Sequence, residues 1–199
     1  MKSNVCKIEN GTKDLAAILA ESERVAAYNG LTHKQALQLR LLCEEVDGML
    51  PNIIDAFEGD LWIEYENGVC KVNVSIQIPA LSAGKKEELV GVAKNKKNAE
   101  AVGIIGKIRS GIEDLFLAHD AVLDYSFAAE SFHLATGYSE GVDYAYIWSL
   151  EQYRNSVSKE EQADKWDELE KSVIASVADD VVVGVKGKQV DIIVTKSFA

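Results

Sequence analysis

Three carboxylates stand close together in the first third of the chain, at Glu44, Glu45 and Asp47. Carboxylates can act as general bases, and their oxygens can hold a hard cation such as magnesium. Gly48 and Pro51 follow within one helical turn, and both residue types weaken a helix interior. We therefore expect a kink or break between Asp47 and Pro51. This acidic, weakened turn is a candidate site, and the alternative is a solvated acidic face with a tolerated kink.

Glycines in a predicted helix over residues 99–117 form a second group of interest. Gly103 and Gly106 lie near the start of that helix, and Lys107 follows the second glycine. Glycine lets a backbone approach a ligand closely, and the N terminus of a helix favours an anion. The segment is not a P-loop, because that motif requires glycine where Ala101 stands and a Ser or Thr after its lysine.

The three carboxylates belong to the element that we expect to organise the fold, a helix within residues 32–57. Thr32 and Gln35 have the spacing of a capping box, which satisfies two backbone donors where a helix begins. Apolar side chains then recur at the spacing of one helix face. They are Leu39, Leu42, Cys43, Val46, Met49, Leu50, Ile53 and Phe57. This face should pack on a sheet, with Leu42, Val46 and Ile53 almost fully buried.

Two hairpins should supply that sheet. Residues 60–66 and 69–78 alternate between apolar and polar side chains, and the Asn67-Gly68 pair between them favours a tight turn because both residues tolerate positive φ. In the second strand one alternating set should face inward and the other should face solvent. The inward set is Cys70, Val72, Val74, Ile76 and Ile78, and the outward set is Lys71, Asn73, Ser75 and Gln77. Residues 181–185 and 189–196 should form the second hairpin.

Shorter elements complete the expected order. Residues 5–8 should form an edge strand, and a helix over residues 13–28 should end at Asn29-Gly30. Residues 143–150 predict a buried strand, and residues 158–178 predict a helix. With its helices on one face of a mostly antiparallel sheet, the chain should be an α+β two-layer sandwich. We expect one domain over residues 1–199, with an insertion at about residues 118–141.

Composition restricts the possible functions. The chain has 199 residues, a formal net charge of −11 and a sequence pI of about 4.8. An acidic chain is not expected to bind nucleic acid or anionic membranes, because both need a basic surface. The three cysteines, Cys6, Cys43 and Cys70, are widely spaced and odd in number, so we expect no disulfide framework or zinc site. Cys43 and Cys70 fall on apolar stripes and should be buried thiols. No signal peptide and no membrane-spanning apolar run is evident, so we expect a cytoplasmic protein.

The order of elements resembles the histidine-kinase-like ATPases of the GHKL superfamily, which have the Bergerat fold, near the bacterial anti-sigma-factor serine kinases. The resemblance rests on LRLLCEEVDGMLPNI from Leu39, the hairpin after it, AVGIIGKIRSGIE from Ala101 and the C-terminal hairpin. It covers most of the chain except about residues 118–141. It implies helices on one face of a mixed, mostly antiparallel sheet.

The resemblance also implies an ATP and magnesium site made of three sequence boxes. In the first box a Glu orients or deprotonates an attacking hydroxyl, and an Asn one turn later holds the metal. Glu45 matches the Glu, but the residue four positions on is Met49, and starting from Glu44 gives Gly48. Neither is a magnesium ligand, because magnesium prefers hard oxygen donors.

The other two boxes are also incomplete. The second has an Asp that reads the adenine amino group, followed by glycines, but residues 79–84 contain no Asp and only Gly84 remains. The third is a glycine loop before a helix, of which Gly103 and Gly106 are the remnant. The resemblance therefore implies a degenerate pocket. It would contain Glu44, Asp47, Gly84, Gly103, Gly106 and Lys107.

Three hypotheses follow. In the first, a degenerate ATPase-like fold acts as a regulatory or protein-binding module without a cofactor, and its acidic surface suits a basic or mixed protein partner. In the second, the chain is an ATP- and magnesium-dependent protein serine kinase that uses Glu45 as base and an unusual metal ligand such as Asp47. In the third, an exposed sheet face builds a homodimer.

Overall fold

The computed structural model describes residues 1–10, 15–54, 56–78, 103–117, 146–157 and 172–198, and the elements below lie in these ranges. The helices are α1 (Leu15–Tyr28), α2 (His33–Ile53), α3 (Gly103–Leu117), α4 (Leu150–Val157) and α5 (Val173–Val177). The strands are β1 (Cys6–Glu9), β2 (Glu58–Glu66), β3 (Val69–Gln77), β4 (Tyr146–Ser149), β5 (Asp180–Lys186) and β6 (Gln189–Ser197). No helix in the described ranges is long and apolar enough to cross a membrane.

The six described strands form one sheet in the order β1-β2-β3-β6-β5-β4. All five pairings are antiparallel. Both predicted hairpins therefore belong to one sheet, and they join where β3 pairs with β6. The turn of the first hairpin has positive φ at Asn67 (51°) and Gly68 (82°), as its sequence predicts. The parallel pairing that a mixed sheet would need is not among the described strands.

All five described helices share one hydrophobic core with one face of the sheet, α4 through its first residue, Leu150. Ile18 of α1, Val46 of α2, Ile108 of α3 and Ile174 of α5 belong to the same cluster of buried side chains. Its strand members come from alternating positions, such as Val72 on β3. This arrangement confirms the α+β class and is consistent with the predicted two-layer sandwich.

The central helix α2 is as buried as its sequence predicts. Leu42, Val46 and Ile53 are 1%, 0% and 3% exposed. At its start the hydroxyl of Thr32 accepts a hydrogen bond from the Gln35 amide, and the Gln35 side chain accepts one from the Thr32 amide, so the capping box is present.

The break expected between Asp47 and Pro51 is absent, because α2 runs without interruption through Pro51 to Ile53. The proline lies in the last turn, and its missing amide removes one helical hydrogen bond, the one to the Asp47 carbonyl. The Asn52 side chain bonds the Gly48 carbonyl at 3.1 Å, and the Ile54 amide bonds the Leu50 carbonyl at 3.0 Å. These two bonds satisfy carbonyls of the final turn.

Helix α1 ends as predicted at Asn29-Gly30. Gly30 has a φ of 65°. The Gly30 amide bonds the Ala27 carbonyl at 3.3 Å, and the Leu31 amide bonds the Ala26 carbonyl at 3.0 Å. This is a Schellman motif, which needs a residue that tolerates the left-handed conformation. The short connection places α1 beside α2.

The C-terminal part departs from the predicted elements in two places. The sequence predicts strand at residue 150, but this residue begins helix α4. The first turn is capped by two side chains: Asp180 Oδ1 accepts a hydrogen bond from the Glu151 amide at 2.9 Å, and Ser149 Oγ accepts one from the Gln152 amide at 3.2 Å. The helix predicted over residues 158–178 is not continuous. Ser172 has an extended backbone, and its hydroxyl accepts a hydrogen bond from the Ala175 amide. Ser172 is therefore the N-cap at which α5 begins. Residues 158–171 lie outside the described ranges.

The second face of the sheet also contains buried side chains. One row of residues crosses all five strands from β2 to β4 on this face: Trp62, Asn73, Ile193, Val182 and Ser149. Val182 and Asn73 are each 1% exposed, so the prediction that Asn73 faces solvent is wrong. Sequence alternation indicates which face a residue occupies, but it does not indicate whether that face is covered.

Charged side chains connect the start of β5 with the end of β6, and α4 with the end of α5. Asp179 accepts hydrogen bonds from Lys196 Nζ and from the Ser197 amide, each at 2.6 Å. Arg154 donates to the carbonyls of Asp179, Ala175 and Ala178, the last two at the end of α5. Burial acts to raise the pKa of Asp179, but the Lys196 and Ser197 hydrogen bonds and the nearby cations outweigh it, so the pKa lies below its ordinary value.

Replacing Leu42 with Ala should lower the free energy of unfolding by about 2–5 kcal/mol, because the side chain is buried and its loss leaves a cavity. Leu37 provides a matched control on the same helix, since it is 52% exposed. Leu37→Ala should change stability by no more than about 0.5 kcal/mol. Denaturant unfolding measures both values, and a cost below about 1 kcal/mol for Leu42→Ala would show that α2 is packed on another face.

The Asp179 contacts should contribute stability that depends on pH. The folded-state pKa is depressed, so the contribution is present above the unfolded-state pKa of about 3.9 and is lost as pH falls through the folded-state value. The native chain should therefore be more stable than Asp179→Asn at pH 7, and the two should converge below about pH 4. Unfolding free energies measured from pH 7 to pH 3 check this. A difference that grows on acidification contradicts it.

The candidate acidic site on helix α2

Helix geometry divides the three predicted carboxylates between two flanks of α2. Glu44 and Asp47 are three residues apart and share one flank, whereas Glu45 does not face either of them. Arg40 identifies the first flank, because it pairs with Glu44 at 3.1 Å and with Glu23 of α1 at 2.6 Å. Glu44 and Asp47 therefore lie on the side of α2 that faces α1.

Glu45 lies on the flank of α2 opposite to Glu44 and Asp47. It is two helical turns before Asn52, so the two residues share a side of the helix. Arg109 of α3 donates a hydrogen bond to the Asn52 carbonyl at 3.4 Å, so α3 contacts the C-terminal end of α2. The structure thus brings Glu44 and Asp47 together and separates Glu45 from both.

The surroundings of the carboxylates also differ. The Glu44 side chain is 37% exposed and is held by its ion pair with Arg40. Asp47 is half-buried, and this burial raises its pKa above the ordinary value of an aspartate. A raised pKa can mark a functional carboxylate, but partial burial at a helix contact produces the same shift.

Met49 occupies the position at which the ATPase-like pattern has its metal ligand. It lies one turn after Glu45 but points into the core, where it is 3% exposed. A thioether is a soft donor, so it does not replace the hard oxygen that magnesium requires. Position 49 therefore serves the packing of α2.

The predicted glycine region lies at the start of α3. Ile104, Ile108 and Ile112 face the core, and Gly106 and Lys107 are half-buried. Lys107 and Arg109 are two residues apart and so lie on different flanks of α3, with Arg109 towards α2. Gly103 is the first residue of the helix. Gly84 lies outside the described residues, as does the segment that would hold the second box.

The cysteines are buried and free, as predicted for Cys43 and Cys70. Burial raises the pKa of Cys70 to about 12 and raises that of Cys43 further, with the Cys70 and Cys6 thiols adding to the shift of Cys43. Such thiols stay protonated and unreactive at neutral pH. Within the described ranges, no group of three or more His, Cys, Asp or Glu side chains could hold a metal ion.

A buried carboxylate that the sequence analysis did not single out is Glu21 on α1. It is 7% exposed. Its oxygens accept hydrogen bonds from the Asn4 amide at 3.1 Å, from Asn4 Nδ2 at 3.0 Å and from Arg24 at 2.6 Å. The sequence position of Glu21 could have indicated its burial, because it lies three residues after Ile18 and four before Val25, on the apolar side of the helix. Glu21 thereby fixes the chain that precedes β1 against α1.

Comparison of the chain with protein-family models, with curated proteins and with solved structures found no match.

The buried position of Met49 predicts what a Met49→Asn replacement will do. It should lower the free energy of unfolding by roughly 2–5 kcal/mol, because it removes apolar volume and buries an amide without partners. Met49→Leu is the control, since a swap of similar volume should cost less than about 1.5 kcal/mol. Chemical denaturation measures both variants. Unchanged stability of Met49→Asn would mean that position 49 opens to solvent and could hold a metal ligand.

Proposed function

We propose that this chain is a regulatory or protein-binding module, built on an ATPase-like α+β fold and without ATP turnover. The observation that carries the proposal is the burial of Met49. If α2 is the helix of the first ATP box, its metal-ligand position is occupied by a core thioether. A magnesium ion that bridges the phosphates would then have no protein ligand at this position.

The arrangement of the carboxylates supports the same proposal. A kinase reading would use Glu45 as base and Asp47 as an unusual metal ligand, and the two would have to act on one phosphate group. They lie on different flanks of α2, with Asp47 on the side that faces α1. Groups that act on one reacting centre must lie within a few ångströms of it, which this separation disfavours.

The charge of the chain supports a protein partner with basic residues. A net charge of −11 attracts cationic surfaces and accelerates their encounter with the chain. Regulation through such a partner requires no nucleotide, so the fold can be kept while the three boxes are lost. The kinase alternative predicts the opposite, because turnover depends on each box.

Calorimetric titration with ATP and magnesium tests the proposal. We expect no measurable binding at physiological magnesium, because the metal-ligand position of the first box is the buried Met49 and residues 79–84 contain no Asp to accept the adenine amino group. GTP serves as the control nucleotide. Micromolar ATP binding that is selective over GTP would overturn the proposal. Loss of a measurable kinase activity on Glu45→Ala would establish the kinase alternative.

A further inference from the structure

The first residues of the chain lie along β2 as a short strap beyond β1. The Tyr65 amide donates to the Met1 carbonyl at 2.8 Å, and the Ser3 amide donates to the Ile63 carbonyl at 2.8 Å. The Ile63 amide donates to the Ser3 hydroxyl at 2.9 Å. Residues 1–3 therefore extend the edge of the sheet by a short antiparallel contact. In this contact the Ser3 hydroxyl oxygen takes the place of one main-chain carbonyl as acceptor.

This strap, residues 1–3, is out of register with β1 by one residue. β1 pairs Cys6 with Leu61, and continuing that register would place Lys2 opposite Tyr65. Lys2 instead pairs with Glu64. One extra residue has been accommodated between Lys2 and Cys6, as in a β-bulge.

The shift decides where the lysine points. Without it, Lys2 would alternate with Cys6 and Ile8 and would face the hydrophobic core. A one-residue slip exchanges the two faces of a strand, so the bulge places Lys2 on the second face of the sheet. There it meets Trp62 and Glu64, which alternate with the core residues of β2.

Trp62 and Glu64 form a cation site that Lys2 occupies. Lys2 Nζ lies 4.5 Å from the centre of the Trp62 ring and 3.5 Å from Glu64 Oε1. The indole nitrogen of Trp62 donates to the same Glu64 oxygen at 2.9 Å, which orients the carboxylate. Lys71 is the partner of Glu64 across β3. The side chains of Lys2 and Glu64 are 54% and 31% exposed, so another cation can reach the site.

We propose that this edge of β2, from Trp62 to Tyr65, is the docking surface for an extended, basic segment of the partner protein, and that residues 1–3 occupy it in cis. The inference rests on the proposed function as a protein-binding module and names the chemistry of its partner. Residues 1–3 show the contacts that such a segment would make: main-chain pairing with β2 and a lysine at the Trp62–Glu64 site, which an Arg would also suit.

The strap is suited to exchange. Three main-chain hydrogen bonds, to Ile63 and Tyr65, hold it to β2, a bulge separates it from β1, and its lysine is exposed. A partner strand that continued the regular ladder would form the Ile63 bond with a backbone carbonyl in place of the Ser3 hydroxyl. The acidic charge of the chain favours a basic strand over an acidic one.

The experiment uses the full chain carrying Lys2→Ala and Ser3→Pro, which removes the cation and the Ser3 donor and so weakens the strap. The probe is an acetylated, amidated peptide with the sequence of residues 1–5, and NMR of the Ile63 and Tyr65 amides reports binding. We expect at least tenfold tighter binding to this variant than to the native chain. Lys2→Arg is the control, since it keeps the cation and should behave as native.

The peptide series tests the cation site. An Arg in place of the peptide's Lys should retain binding, and norleucine should weaken it about tenfold, the loss expected for a cation–π contact with an ion pair. Equal binding of the lysine and norleucine peptides, or no binding to the strap variant, overturns the proposal. If the double variant does not fold, Lys2→Ala alone gives the same comparison.

Two further outcomes separate this inference from other possibilities. Dimerisation of the strap variant in sedimentation would show that a second copy of this chain, and not a basic partner, takes the edge, and would overturn the proposal. ATP binding by the native chain would refute the proposed function but would not alter the peptide result. A failure of the peptide experiment with no ATP binding would leave a binding module whose docking surface lies elsewhere.

Discussion

The contact between the apolar face of α2 and the antiparallel sheet is the interaction on which the rest of the structure depends. Leu39, Leu42, Val46 and Leu50 are fully buried in it. Burial of side chains of this size is the main driving force of folding. Helix α1 contacts α2 through the Glu23–Arg40 ion pair, and α3 contacts the C-terminal end of α2 through Arg109, so both helices pack beside the same central element.

That contact also limits what α2 can do chemically. A helix that buries one face has only its flanks and its outer face for polar groups. Position 49 belongs to the buried face, so a metal ligand one turn after Glu45 could be placed there only by giving up core packing. The three-residue spacing of Glu44 and Asp47 keeps them on one flank of the remaining surface, whereas Glu45 lies away from both.

Much of the fold followed from sequence because local signals and burial agreed. The capping box at Thr32, the Asn67-Gly68 turn and the alternation in β3 each specify one structure. The errors arose where tertiary contacts decided the outcome. Leu150 begins a helix because Asp180, thirty residues later, caps it. Asn73 is buried because its face of the sheet is covered. The candidate site was harder to predict, since neighbouring residues on a helix point in different directions.

The edge of β2 shows how one backbone irregularity can serve both stability and recognition. An edge strand with open hydrogen-bonding groups tends to pair with other chains. Here the strap covers that edge. Asn4, the residue after the strap, donates two hydrogen bonds to Glu21 and so holds this part of the chain against α1. A regular strand would have directed Lys2 into the core, where an unpaired ammonium is strongly disfavoured. The bulge avoids that cost by moving the charge to the Trp62 ring and the Glu64 carboxylate, so the irregularity that keeps the lysine out of the core also brings it to the cation site of β2.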